Sequence, residues 1–308
     1  MEPRHRNFQG CRVSKRPKIS CLAPWFGSNR MLAHAVGEEL AGCKWIGVAF
    51  AGGMSELVEI NAGAIVVNDL HRHIINLARV VADPILGTIL YRKMRRVQFH
   101  PDVLALAQEY CRAIDKLEPH PGNADSCLLD AQQYFIASWM NRSAIAGTDG
   151  EFKGGLPVRW SATGGDSAVR FHSAARSIVE WRRICARCNF TVLDVFEFLA
   201  KCHDDATTGI YCDPPFPSEG GGYKHKFSIA DHRRLAEKLT GYKAARVVCR
   251  FYDCDLVRDL YPAASGWKYR YLLGRDQTNT SGKPEVLLIK NAKTPIRVPT
   301  SPPRDAKT

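Results

Sequence analysis

Short apolar runs alternate with amphipathic stretches in two parts of this chain, and a differently patterned segment separates them. The first part opens with Trp45-Ile-Gly-Val-Ala-Phe50, a continuous apolar run that predicts a strand, and it ends in Ala51-Gly52-Gly53. A short helix is expected from Ser55 to Asn61, then a strand from Ala64 to Asp69. From His71 to Ala82, Ile74, Ile75, Ala78 and Val81 fall on one face of a helix. The second part repeats the pattern: a strand from Phe190 to Val195, a helix from Phe196 to Cys202, and a strand from Gly209 to Cys212. Ser228 and Asp231 have the spacing of a capping box, so a helix is expected from there through Leu239. Arg246 to Tyr252 reads as another strand, and Lys268–Leu273 with Glu285–Ile289 as a closing antiparallel pair. Strands alternating with helices predict an α/β fold, with a mostly parallel sheet covered on both faces.

Residues 83–189 lack that alternation and read as a mainly helical insertion. They carry the basic cluster Arg92-Lys93-Met94-Arg95-Arg96, helical patterns at 102–116 and 129–140, and a glycine-rich stretch from Asn141 to Asp166. The expected organisation is therefore a basic flexible arm (1–20), one α/β domain built from 21–82 and 190–292, the insertion (83–189), and a disordered tail (293–308).

The 308 residues can bury a sizeable core, and 45% hydrophobic with 24% charged residues is the composition of a soluble globular protein. No apolar run reaches the roughly 20 residues that span a bilayer, so no membrane association is expected. The basic first residues are not followed by an apolar run, which argues against a secretory signal. The 11 cysteines form no even framework and suggest reduced thiols in a cytoplasmic setting. Cys185-Ala-Arg-Cys188 has no second pair at comparable spacing, so ordinary thiols are expected there and no metal. The formal charge of +12 excludes little about fold, but it favours a polyanionic partner.

Two motifs carry chemistry. Phe50-Ala-Gly-Gly-Met-Ser55 follows a strand and opens a helix, where glycine lets the backbone approach a ligand. Asp69 ends the next strand at a position suited to ribose hydroxyls. The turn is not GxGxxG, which favours a nucleoside-type cofactor over a dinucleotide. The second motif is Tyr211-Cys212-Asp213-Pro214-Pro215-Phe216. The exocyclic nitrogen of adenine is a poor nucleophile, because its lone pair is delocalised into the ring. The Asp213 carboxylate and the Pro214 carbonyl can accept its two N–H bonds, Phe216 offers a stacking face, and the prolines hold the geometry in advance.

With these residues in place, the chain resembles the Dam-like DNA adenine-N6 methyltransferases, including those of phages and mobile elements. The resemblance covers roughly residues 22–292. It runs through Trp25-Phe26-Gly27-Ser28-Asn29-Arg30, Phe50 to Ser55, Asn68-Asp69, Asn141-Arg142, Asp194 and Asp213 to Phe216. Phe227-Ser-Ile-Ala-Asp231-His232-Arg-Arg-Leu235 and Lys283 to Asn291 complete it. It implies a Rossmann-like fold with a mixed, mostly parallel seven-stranded sheet and S-adenosylmethionine as methyl donor. Trp25, Arg30, Phe50, Gly52, Gly53, Asp69 and Asp194 would hold that donor, with Asp69 on the ribose and Asp194 near the cofactor's adenine. Asp213, Pro214, Pro215 and Phe216 would hold a flipped-out adenine. Gly27-Ser28-Asn29 stands where the family commonly has Gly-Gly-Lys, leaving Arg30 as the candidate for the missing charge, and Phe216 replaces the commoner tyrosine.

Tyr223, Lys224 and Lys226, in the glycine-rich segment after Phe216, are expected to form a lid that covers the base and meets phosphate. Arg142, Lys153, Arg159 and Arg170 are the candidates for DNA contact within the insertion. The expected partner is duplex DNA, with single-stranded DNA possible, and the expected state a monomer. Two alternatives stay open: transfer to RNA adenine or a protein amide, and a nucleic-acid-binding protein on a methyltransferase scaffold that no longer turns over.

Overall fold

The structure is a computed structural model, and it describes residues 17–27, 30–117, 123–141, 145–161, 165–217, 222–272 and 284–292. Ser28, Asn29 and Arg142 lie outside the described residues, as do 218–221, most of the arm and all of the tail.

Strands β1 (Trp45–Val48), β2 (Ala64–Asn68), β3 (Cys188–Thr191), β4 (Thr208–Cys212), β5 (Arg246–Tyr252), β6 (Lys268–Leu272) and β7 (Glu285–Lys290) form one seven-stranded sheet. Its order is β3-β2-β1-β4-β5-β7-β6. The strands from β3 to β5 in that order run parallel, and β7 is antiparallel to both β5 and β6. The fold is thus α/β and Rossmann-like, with the mixed sheet and closing antiparallel pair that the sequence predicts.

Strand alternation sends successive side chains to opposite faces, and each face has its own core. Ile46, Val48, Val67 and Tyr211 belong to one buried cluster. Ile210, Cys212, Val247, Cys249 and Phe251 belong to the other. The second cluster is closed by α7 (Val195–Lys201), α8 (Ile229–Gly241) and α9 (Asp255–Leu260), through residues such as Phe198, Leu235 and Val257. Ser228 caps α8 in a full capping box with Asp231, as its spacing predicts.

The first cluster is built by α1 (Ala33–Glu39), α2 (Arg72–Ala82), α3 (Leu86–Met94), α4 (Pro101–Asp115), α5 (Ala124–Trp139) and α6 (Ser167–Cys185). Leu90, Leu104, Phe135 and Trp181 share it with Ile46 and Val67, so the helices of 83–189 are continuous with the core under the sheet. The expected helices at 102–116 and 129–140 are α4 and α5. α3 and α6 are additions, one hidden by the basic cluster at its end, the other by the glycines before it. Asp166 caps α6 by accepting from the Val169 amide at 3.0 Å. The helix expected from Ser55 to Asn61 is a single 3-10 turn, Ser55–Val58, and β3 starts and stops earlier than the apolar pattern suggests. No single described helix is long and apolar enough to cross a membrane.

Candidate active site

β1 lies between β2 and β4, so the chain leaves it in opposite directions along the sheet. At such a switch point the carboxyl ends of the strands diverge and open a crevice. The cleft found there is lined by Phe50, Gly52, Gly53, Asp69, Asp194 and Phe196 on one side, and by Asp213, Pro214, Pro215 and Arg250 on the other. Trp25, Tyr223, His225, Lys226 and Phe227 also line it. The two motifs legible in the sequence therefore face one cavity.

The β1 end is fixed by hydrogen bonds to Asp69. Its carboxylate accepts from the Gly52 amide at 2.8 Å and, through its other oxygen, from the His71 amide at 2.8 Å. Gly52 needs its freedom here: φ is +46°, and a Cβ would meet the Trp25 ring at 2.9 Å. Gly147, with φ +81°, leaves room for the other side of the same ring, where a Cβ would approach within 2.6 Å. Trp25 is thereby seated between two glycine turns, with its edge on His71 at 5.1 Å between ring centroids. Beneath them, Asn68 fastens three strand ends. Its amide donates to Ala49 O and Leu193 O, while its oxygen accepts from the Leu193 amide and the Thr191 hydroxyl. Asp194 is the N-cap of α7 and accepts from the Phe196 amide at 2.8 Å.

On the other side, β4 delivers Asp213 to the cleft edge with 15% of its side chain exposed. Arg250 holds that carboxylate, Nη1 donating to Oδ2 at 3.1 Å and to Oδ1 at 3.4 Å. Burial pushes the Asp213 carboxyl above the usual aspartate range, with Arg250 pulling against it and Glu285 adding to it. Pro214 is buried and Pro215 half-buried. Phe216 is placed differently from the expectation that it stacks on the base. Its ring packs edge-on to Tyr252 at 4.4 Å with the Arg250 guanidinium 5.1 Å above it, and it is not among the residues lining the cleft. It supports Arg250, and the aromatic side chains lining the cleft are Trp25, Phe26, Phe50, Phe196, Tyr223 and Phe227.

His232, singled out in the Phe227-to-Leu235 motif, is fully buried and meets the Phe227 ring edge-on at 4.7 Å. Desolvation holds its pKa down, from 6.5 to about 4. The folded ring thus stays neutral where the unfolded ring takes up a proton, so protonation favours unfolding. Stability is expected to fall as pH drops below about 6.5 and to level near about 4, at a cost of about 3 kcal/mol, and His232→Phe should flatten that decline in urea titrations.

Residues 222–227 border the cleft and are stitched to the turn at 145–151. Lys224 N–H donates to Gly147 O at 2.9 Å, Asp149 N–H to Gly222 O at 3.0 Å, and Tyr223 bridges Thr148. Tyr223 stands edge-on to Phe26 at 5.2 Å. The Lys224 ammonium is 2.5 Å from Asp115, which also bonds His73 at 3.0 Å, so it is committed inside the protein, where a phosphate contact was expected. Burial opposes the Asp115 charge, but His73 and Lys224 outweigh it and hold that carboxyl below the usual range. Lys224→Met is expected to lower stability by about 1 kcal/mol and to speed amide exchange at Lys224 and Asp149.

Lys226 is exposed at the cleft. Lys153 is exposed, Arg159 donates to Ser161 O at 2.7 Å, and Arg170 lies 5.8 Å from the Trp139 ring, away from the cleft lining. Arg30 is exposed, lies near the neutral Cys21 thiol and Arg170, and is not among the residues lining the cleft. Arg250 does line the cleft, and sequence reasoning missed it. Its one signal was an arginine in the interior of the strand, between Cys249 and Phe251. Among the described residues, no group of three His, Cys, Asp or Glu side chains is placed to hold a metal ion.

No protein-family model matches this chain, and no curated protein matches it either. Among solved structures it is similar to "SMU.776, a putative methyltransferase complexed with SAH", at 12% identity and a TM-score of 0.35. The alignment covers 83% of this chain, which spans about half of the other, 48%.

Proposed function

We propose that this protein is an S-adenosylmethionine-dependent methyltransferase that acts on N6 of adenine in DNA. The observation that carries the reading is the shared cleft: the Gly52-Gly53 turn with Asp69 and the Asp213-Pro214 turn line one cavity. The residues present suit the donor. Carboxylates at three strand ends (Asp69, Asp194 and Asp213) can meet ribose hydroxyls, an adenine amine and a cationic sulfonium, and Phe50, Trp25 and Phe227 supply aromatic walls. Asp69 would take the ribose and Asp194 the cofactor's adenine. When bound, S-adenosylmethionine supplies an activated methyl on its sulfonium.

The rest falls to the chain's own groups. An ionised carboxylate offers about four acceptor sites, so Asp213 can hold Arg250 and still accept an N–H from adenine N6. The Pro214 carbonyl accepts the second. With both N–H bonds engaged, the nitrogen becomes more pyramidal and its lone pair points away from the ring. Asp213 works as a polarising acceptor, and the walls formed by Trp25, Tyr223 and Phe227 exclude water. An adenine paired in duplex DNA cannot reach this depth, so it enters flipped out, with Lys226 at the rim. The charge of +12 supports a polyanionic substrate, and Lys153 and Arg159 are the candidates for its backbone. We place the enzyme in the cytoplasm, as a monomer.

The test supplies methyl-labelled S-adenosylmethionine with duplex DNA, single-stranded DNA or RNA. Label in DNA and little in RNA is expected. Label in RNA or protein alone would move the activity to another acceptor, and salt-dependent DNA binding without any label would leave a binding protein.

A further inference from the structure

We propose that Arg250 is a positioning residue for the acceptor half of the site: anchored on Glu285, its guanidinium fixes the Asp213 carboxylate at the cleft and ties it to the amino-terminal loop at Gly27. The proposal rests on the reading above, in which Asp213 accepts from adenine N6.

Arg250 sits inside β5 with 1% of its side chain exposed, and Glu285, the first residue of β7, is fully buried. Nε donates to Glu285 Oε1 at 3.0 Å and Nη2 reaches the same oxygen. Two N–H groups converging on one oxygen of a carboxylate that water does not reach set the plane of the guanidinium. Nη1 lies beyond the pair. It donates to Gly27 O at 2.7 Å and spans both oxygens of Asp213. The Phe216 ring beneath the guanidinium limits its tilt. An arginine needed only to neutralise Glu285 would not have to reach a second carboxylate, one that lines the cleft.

Three chain segments thus converge on a single cation, with the loop carrying Trp25 and Phe26 joined to the β4 end. The charges matter as much as the geometry. One guanidinium between two carboxylates leaves the cluster net negative, which suits a cationic donor and keeps Asp213 an acceptor. The ionisable groups facing Asp213 are Arg250 and Tyr252 from β5, Glu285 from β7, Cys212 from β4 and Tyr223 from the 222–227 segment. Among them Arg250 alone favours the ionised carboxylate.

Removing only Arg250 would strand the fully buried Glu285 carboxylate as well as freeing Asp213, so the test pairs Arg250→Met with Glu285→Gln and adds Arg250→Lys. Transfer is measured from pH 5.5 to 9, alongside a 13C-NMR titration of the Asp213 carboxyl, assigned with Asp213→Asn. The paired variant is expected to fold and bind S-adenosylmethionine within about threefold of wild type, while kcat at pH 7 falls about 100-fold. Its acid limb and the Asp213 midpoint should both move up by about one pH unit, with activity partly recovered at high pH, and Arg250→Lys should restore most of the loss. An equal loss at every pH, or a kcat close to wild type, would overturn the proposal. If the paired variant does not fold, Arg250→Gln with Glu285→Gln decides: an Asp213 midpoint unchanged in it counts against the proposal, a raised one for it. If wild type transfers no methyl at all, the functional reading fails by itself. The carboxyl titration then still judges Arg250, since an unchanged midpoint would remove its role.

Discussion

Asp213→Ala is expected to lower methyl transfer about 100- to 1000-fold while leaving affinity for S-adenosylmethionine nearly unchanged. Asp213 is the cleft carboxylate beside Pro214; of the others nearby, Asp231 is engaged by the Ser228 amide and hydroxyl, and Glu285 is fully buried and bonded to Arg250. The variant should still fold, because Arg250 keeps Glu285 and the Gly27 carbonyl as partners. Single-turnover transfer, calorimetric titration of the cofactor and a thermal melt separate the three effects. Turnover close to wild type would mean that another group polarises the nucleophile. Loss of cofactor binding together with activity would mean that the two halves of the cleft are assigned wrongly.

Asp69→Ala should behave differently, losing both stability and cofactor binding. Its carboxylate satisfies the amides of Gly52 and His71, so it holds the glycine turn and the start of α2 together. Leaving two partly buried amides without that acceptor costs about 2 to 4 kcal/mol, reduced where water reaches them. The proposed ribose contact disappears as well, so S-adenosylmethionine affinity is expected to fall at least about 10-fold. Asp69→Asn keeps one acceptor oxygen and should lie between alanine and wild type on both measures. Urea unfolding and calorimetry check this. A variant that lost stability but bound the cofactor normally would confine Asp69 to a structural role.

What the sequence made legible follows from how local each feature is. The strand from Trp45, the glycine turn after it, Asp69, the Asp213-Pro-Pro run and the Ser228 cap are decided by a few adjacent residues. The cleft forms where β1 and β4 end side by side, and the order of the strands brought those motifs together as the patterns imply. Contacts between distant segments were not legible. Arg250 gains its partner only when β5 is set against β7, which places Glu285 beside it, 35 positions away. Asn68 looks like a strand terminus, yet it bonds Leu193 across 125 positions. Lys224 and Phe216 carry the right chemistry for phosphate and base. Each is taken by a nearer partner, Asp115 for the ammonium and Tyr252 with Arg250 for the ring, because packing chooses among equivalent uses of a side chain. The helical segment read as a separate insertion lies partly under the sheet for the same reason. Its apolar faces found the nearest uncovered side of β1 and β2.

The central claim is that one cleft holds both the methyl donor and the accepting base. A crystal structure of the protein with S-adenosylhomocysteine tests it most directly. The account predicts the ribose hydroxyls on Asp69, the adenine beside Asp194 and Phe196, and the sulfur turned toward the Asp213-Pro214 carbonyls and carboxylate. A ligand bound elsewhere, or one whose sulfur faces away from Asp213, would contradict it.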